Sequence, residues 1–166
     1  MRLLDQIVPV CLRTPLDITS AGIARQAIDM RGYESILFRL LVGNIAADLV
    51  LTFQQDKHTT ITTADKALNF TKYFVKSGVN YAYEEVTQAS GNTLTIANAT
   101  GDNKEYMVEF SAAQLDVNNR YNVIVVSATA PGGACVVALE ALLCRSRRGM
   151  GYRGSSFESM TEAGSP

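Results

Sequence analysis

The stretch from Tyr33 to Gln55 leaves this chain few folding options. It reads YESILFRLLV, then GNIAAD, then LVLTFQQ. In the first run Ile36, Phe38, Leu40 and Val42 fall on one face at period two, and Ser35, Leu37, Arg39 and Leu41 fall on the other. In the second, Leu49, Leu51 and Phe53 alternate with Val50, Thr52 and Gln54. Gly43, Asn44 and Asp48 supply turn chemistry between the two runs. The pattern predicts two core strands in a central hairpin. So apolar a pair must lie inside a packed sheet that the other segments cover.

The remaining segments read mostly as strands too. Residues 1–22 look like an arm, in which Ile7, Val8, Val10 and Leu12 form a short strand that Pro9 and Pro15 confine to a sheet edge. Gly22 to Met30 alternates modestly, and Arg31-Gly32 turns the chain into the central hairpin. Asn69–Lys76 is rich in aromatic and β-branched residues, so strand is favoured there over a capped helix from Thr63. Tyr81–Thr87 and Thr93–Ala97 are short strands, and 98–103 is a loop. Lys104–Ser111 alternates cleanly: Tyr106, Val108 and Phe110 point one way, while Glu105, Met107 and Glu109 point to solvent or a partner. Leu115 and Val117 are expected to plug the core from the next connection. Tyr121–Thr129 and Ala134–Cys144 are apolar on both faces, so both should be central or covered. Pro131-Gly132-Gly133 between them resembles a hairpin turn.

Eight or so short strands between turn signals predict an all-β fold, a single antiparallel sandwich or barrel-like domain over residues 23–144. A chain of 166 residues is large enough to bury such a core. The N-terminal arm (1–22) and a C-terminal tail (145–166) flank it. The charge is lopsided: residues 21–144 hold nine basic and twelve acidic side chains, and the tail holds four arginines and two glutamates. A net charge of −1 gives no long-range attraction for nucleic acid. Cys11, Cys135 and Cys144 are an odd set without CxxC spacing, which argues against a disulfide framework or a zinc site and for buried thiols. MRLLDQIVPV is too weakly apolar for a signal peptide and no run approaches a membrane span, so no membrane partner is expected.

No constellation of reactive groups emerges. His58 is the sole histidine, and with Asp56 and Asp65 nearby it still lacks the three or four ligands of a metal shell. Glu84 and Glu85 are adjacent on a strand and point to opposite faces, so they cannot flank one glycosidic bond; Glu105 and Glu109 read as exposed strand charges. Ser127, Ser155 and Ser156 lack a nucleophile elbow. Gly132-Gly133 and Gly149-x-Gly151 lack the strand–loop–helix setting of a phosphate cradle. The chain therefore reads as a non-enzyme that needs no cofactor. Tyr73, Tyr81, Tyr83 and Tyr106 would serve a sugar-binding platform or, more economically, a sandwich core or rim.

The tail RSRRGMGYRGSSFESMTEAGSP cannot build a core and is expected to order only against a partner. Its Arg145, Arg147, Arg148 and Arg153, interleaved with Tyr152 and Phe157, are candidate contact residues, as are Val8 and Val10 of the arm. Nucleic acid is the least favoured partner, because the patch is small and the body acidic.

Several segments together resemble a family of small virion structural proteins of tailed bacteriophages encoded among head genes. They are IDMRGYESILFRLLVG, LVLTFQQ, EYMVEFSAAQLDVNNRYNVIVVSATAPGG and ALLCRSR. The shared order runs through Asp29, Gly32, Tyr33 and Glu34, then Gly43, then Leu115, Asp116, Val117 and Tyr121, then Pro131-Gly132, spanning about residues 22–146. Family members often close with a glycine-proline-arginine-type segment, where this chain has Cys144-Arg145-Ser146 and a longer basic tail. The resemblance implies a capsid decoration (cement) protein on the outer surface of a phage head, made in the host cytoplasm. Its implied partners are the major capsid protein and further copies of itself, with a trimer favoured. A head–tail connector or tail component, and a glycan-binding β-sandwich, are the alternative readings.

Overall fold

The computed structural model describes residues 7–60, 65–77 and 82–145. They form eleven strands in two antiparallel sheets packed as an open sandwich, not a closed barrel. The strands are β1 (Ile7–Asp17), β2 (Ile23–Asp29), β3 (Tyr33–Ile45), β4 (Leu49–Asp56), β5 (Lys66–Ala67), β6 (Phe70–Ser77), β7 (Glu84–Gly91), β8 (Thr93–Ile96), β9 (Lys104–Ser111), β10 (Val123–Ala128) and β11 (Cys135–Arg145). One sheet has the order β1-β11-β3-β9-β6-β7. The other runs β2-β10-β4-β5, with β8 pairing the first half of β4. Where the sequence suggests a loop at 98–103, a single helical turn, α1 (Asn98–Gly101), precedes β9.

The central hairpin does not form. β3 and β4 lie in different sheets: β3 pairs β11 and β9, and β4 pairs β10, β5 and β8. The short connection at Ala46–Asp48 is a corner that carries the chain across the sandwich. The apolar faces of β3 and β4 therefore meet face to face, with the rings of Phe38 and Phe53 5.3 Å apart. β10 and β11 repeat this: the turn at Pro131–Gly133 also passes from one sheet to the other. Alternation marks which side chains must be buried, and two strands satisfy it equally by pairing or by facing each other.

The core is aromatic at its centre. Phe53 of one sheet meets Phe38, Phe70 and Phe110 of the other at centroid distances of 5.1–5.5 Å. The Phe53 carbonyl accepts from the Leu68 amide and from Asn92 Nδ2, and the Phe53 N–H donates to the Asn92 carbonyl. These bonds tie the chain where it changes sheets before β6 and after β7. Leu115 is buried as its position suggests, but Val117 is 54% exposed, because the 3-10 turn Val117–Asn119 swings it out of the core.

The stretch read as an arm is largely a strand. From Ile7 to Asp17 it runs along the edge of the six-stranded sheet, antiparallel to β11 and with two register shifts. Pro9 and Pro15 sit on this edge strand, where a missing donor costs the ladder least. Ile18, just beyond, is fully buried. The next turn depends on Gly22, whose φ is +62° and whose added Cβ would stand 2.3 Å from the Ala128 carbonyl oxygen.

Candidate protein-interaction face

The two long apolar strands of the sequence end in different surroundings. β10 is covered on both sides, with Val123 through Val126 all buried. Its outward face is shared with Arg25, whose guanidinium pairs with Asp56 at the end of β4 and with Asp65 ahead of β5. Through Arg25, Asp65 just ahead of β5 is held against this sheet. β11 is different. Its inward row, Cys135, Val137, Leu139, Ala141 and Leu143, is buried. Its outward row runs Val136, Ala138, Glu140, Leu142 and Cys144, and among the described residues none of these is buried.

Register extends this outward row into a face. Leu142 stands beside Leu37, Glu140 beside Arg39 and Ala138 beside Leu41 on β3; Met107 of β9 and then Phe74 of β6 continue the Arg39 row. Val136 is 42% and Leu41 39% exposed, and Gly43 beside Val136 leaves its side uncovered. Large apolar side chains exposed together on one sheet face differ from the scattered ones of an ordinary surface.

At the centre sits a charge cluster. Arg39 Nη1 donates to Glu140 Oε1 at 2.7 Å, and its Nε donates to Glu105. Tyr83, from the segment leading into β7, donates its hydroxyl to Glu105 Oε1 at 2.6 Å, and Lys76 Nζ stands 5.6 Å from the Tyr83 ring centroid. Glu105 is thus not the solvent-facing charge its alternation suggests; it is 9% exposed. Burial pushes its carboxyl up, but the hydrogen bonds from Arg39 and Tyr83 and the charges of Arg39 and Lys76 outweigh this and hold it below the ordinary glutamate value. Burial, then the bond to Glu105, pushes the Tyr83 phenol up. Two glutamates, one arginine and one lysine leave the cluster close to neutral. A protein partner could cover such a face without stripping water from an unpaired charge.

Of the sequence-derived contact residues, Val8, Val10 and Arg145 fall within the described residues. Val8 and Val10 lie on the inner side of β1, half-buried against the core, so β1 turns Pro9 and Cys11 outward in their place. Arg145 is the last residue of β11, opposite Tyr33. Arg147, Arg148, Tyr152, Arg153 and Phe157 lie outside the described residues. The tyrosines do not form one platform: the rings of Tyr73 and Tyr106 are 6.4 Å apart on the core side, Tyr83 is on the outward face, and Tyr81 lies outside the described residues. Among the described residues no three His, Cys, Asp or Glu side chains are grouped to hold a metal, and no helix is long and apolar enough to cross a membrane. The outward face had one signal in the sequence, the double-sided apolarity of 134–144, but that signal equally suits a strand covered by its own chain.

Within the segments that carry the family resemblance, Asp29, Gly32, Asp116 and Tyr121 sit at turns and ties between strands. Asp29 Oδ1 accepts from the Arg31 backbone and guanidinium around Gly32, whose φ is +86°. The Met30 N–H donates to the Asn122 carbonyl at 2.8 Å, joining that turn to the start of β10. The Asp116 N–H donates to the buried Gln55 side chain at 2.8 Å, and the Asp116 carbonyl accepts from Tyr121.

No protein-family model matches the chain, and no curated protein does. Among solved structures it is similar to the structure of infectious bursal disease virus Gx strain, at 12% identity over 84% of this chain and 42% of that one. The TM-score is 0.22, and the chain spans less than half the length of that neighbour. A likeness of that size assigns no function.

Proposed function

We propose that this chain is a non-enzymatic structural protein of a tailed-phage head, a decoration (cement) protein that lays the outward face of its six-stranded sheet on the major capsid protein. The observation that carries the reading is the uncovered outward row of β11, flanked by Leu37, Leu41 and Met107 around a self-neutralised Arg39 cluster. The order of motifs through Asp29, Gly32, Asp116 and Tyr121 supports the head-protein assignment. A rigid sandwich repeated over a symmetric shell gains strength from many identical contacts, each weak alone. Trimers would place several such faces on the shell at once.

Copies per virion test the assignment. Quantitative mass spectrometry of purified particles should count the chain in a multiple that follows the shell symmetry. A count matching a single connector ring would move it to the head–tail junction, and absence from particles would end the reading. Particles stripped of the protein should rupture at a lower temperature than intact ones; equal rupture temperatures would remove the stabilising role.

A further inference from the structure

We propose that a shallow depression at one end of the five-stranded sheet is an oxyanion site that takes carboxylates of an acidic protein segment. It is lined by Lys57, His58, Asn118, Asn119 and Arg120. Lys57 and His58 follow β4, and the other three belong to the 3-10 turn ahead of β10 and its cap, so two distant segments meet there. None of the five belongs to the outward face of the six-stranded sheet, so this inference stands apart from the reading above.

The charges around the depression do not balance. Two carboxylates adjoin it, and both are engaged. Asp56 pairs with Arg25 and accepts the backbone N–H of Lys57 and of His58. Asp116 holds Lys66 Nζ at 2.8 Å and accepts twice from Asn119 Nδ2, at 2.9 and 3.0 Å. Lys57 and Arg120 then have no carboxylate partner among the described residues. Lys57 is held in place by the Tyr121 ring, with Nζ 5.0 Å from the centroid, and Lys66 stands 5.8 Å from the same ring.

The backbone adds a second observation. Arg120 sits at φ +66°, a left-handed conformation that glycine adopts without steric cost and that an ordinary side chain resists. The chain carries an arginine at a position where a stability-driven choice would be glycine or asparagine. Residues held in such conformations cluster at binding sites.

Two cations without a carboxylate partner among the described residues also set the class of ligand. A nucleic-acid strand is held by neutralising many phosphates, which two cations on an acidic body do not supply. One or two carboxylates match them in number. The guanidinium fork binds a carboxylate with paired donors, the lysine adds a point charge, and the Asn118 amide adds a neutral donor.

The test is an NMR titration of the labelled full chain at low ionic strength with a capped polyglutamate peptide and, separately, with inorganic phosphate. The peptide should shift the amides of Lys57, His58 and Asn118–Tyr121 along one saturating curve that salt weakens. In Lys57→Gln with Arg120→Gly, affinity should fall about tenfold while the spectrum stays folded, because glycine suits the positive φ. If the double variant loses its dispersed spectrum, Lys57→Gln alone should still weaken binding. Peptide shifts centred elsewhere, or unchanged in the variants, would overturn the site. A response to phosphate without one to peptide would mean an adventitious ion only and would overturn the assignment to carboxylates.

Discussion

Arg39 and Glu140 face each other across the β3–β11 ladder, with Nη1 2.7 Å from Oε1. The same guanidinium holds Glu105 on the opposite neighbour strand, β9. One arginine thus stitches three strands on an outward face. Glu105→Gln keeps the shape and removes the charge that Arg39 and Tyr83 donate to. It should cost about 1–2 kcal/mol at neutral pH, read by urea unfolding. Because the folded carboxyl titrates below its ordinary 4.5, this stabilisation is complete above that pH and is lost as pH falls through the lower, folded value. The glutamine variant should therefore show a smaller drop in Tm on acidification below pH 4.5 than the parent.

Phe53 bridges the sheets through three other phenylalanines, so truncation removes contacts on both sides of the core. Phe53→Ala should destabilise by about 3–5 kcal/mol, and Phe53→Leu, which refills much of the volume, by about 1 kcal/mol. Equal costs for the two would mean that the loss comes from ring–ring geometry and not from volume.

Two glycines at positive φ should respond differently to alanine. At Gly22 the new Cβ would meet backbone at 2.3–2.8 Å, and at Gly132 it would meet nothing within 4 Å. Gly132→Ala should cost about 1 kcal/mol, the intrinsic strain of a left-handed alanine. Gly22→Ala adds a clash with an unyielding backbone and should cost about 3 kcal/mol or more. Thermal melts of the two variants side by side measure the difference.

Leu41, beside Ala138, and Val136, beside Gly43, both lie on the outward face and are each about two-fifths exposed. Leu41→Glu with Val136→Glu should change stability by less than about 1 kcal/mol, since neither side chain is in the core. The double variant should nevertheless lose binding to particles stripped of the protein, in a sedimentation assay against the parent chain. Retained binding would move the contact off this face.

Alternation alone located the strands around Ile36–Val42 and Tyr106–Phe110 and told which of their side chains go inside, because a pleated strand sorts neighbours to opposite faces whatever its partners are. The prolines at 9 and 15 likewise marked an edge, since they remove donors whatever lies beside them. Partnership was decided only by the assembled fold. Whether β3 and β4 pair or face each other depends on contacts with β11, β9 and β10, far away in the chain, and both arrangements bury the same side chains. The same holds for the surface: Glu105 became buried only when Arg39 and Tyr83 closed on it, and Lys57 met Arg120 only when the ends of β4 and β10 came together. Local pattern fixes what a side chain needs, and the long-range packing of the two sheets fixes which neighbour supplies it.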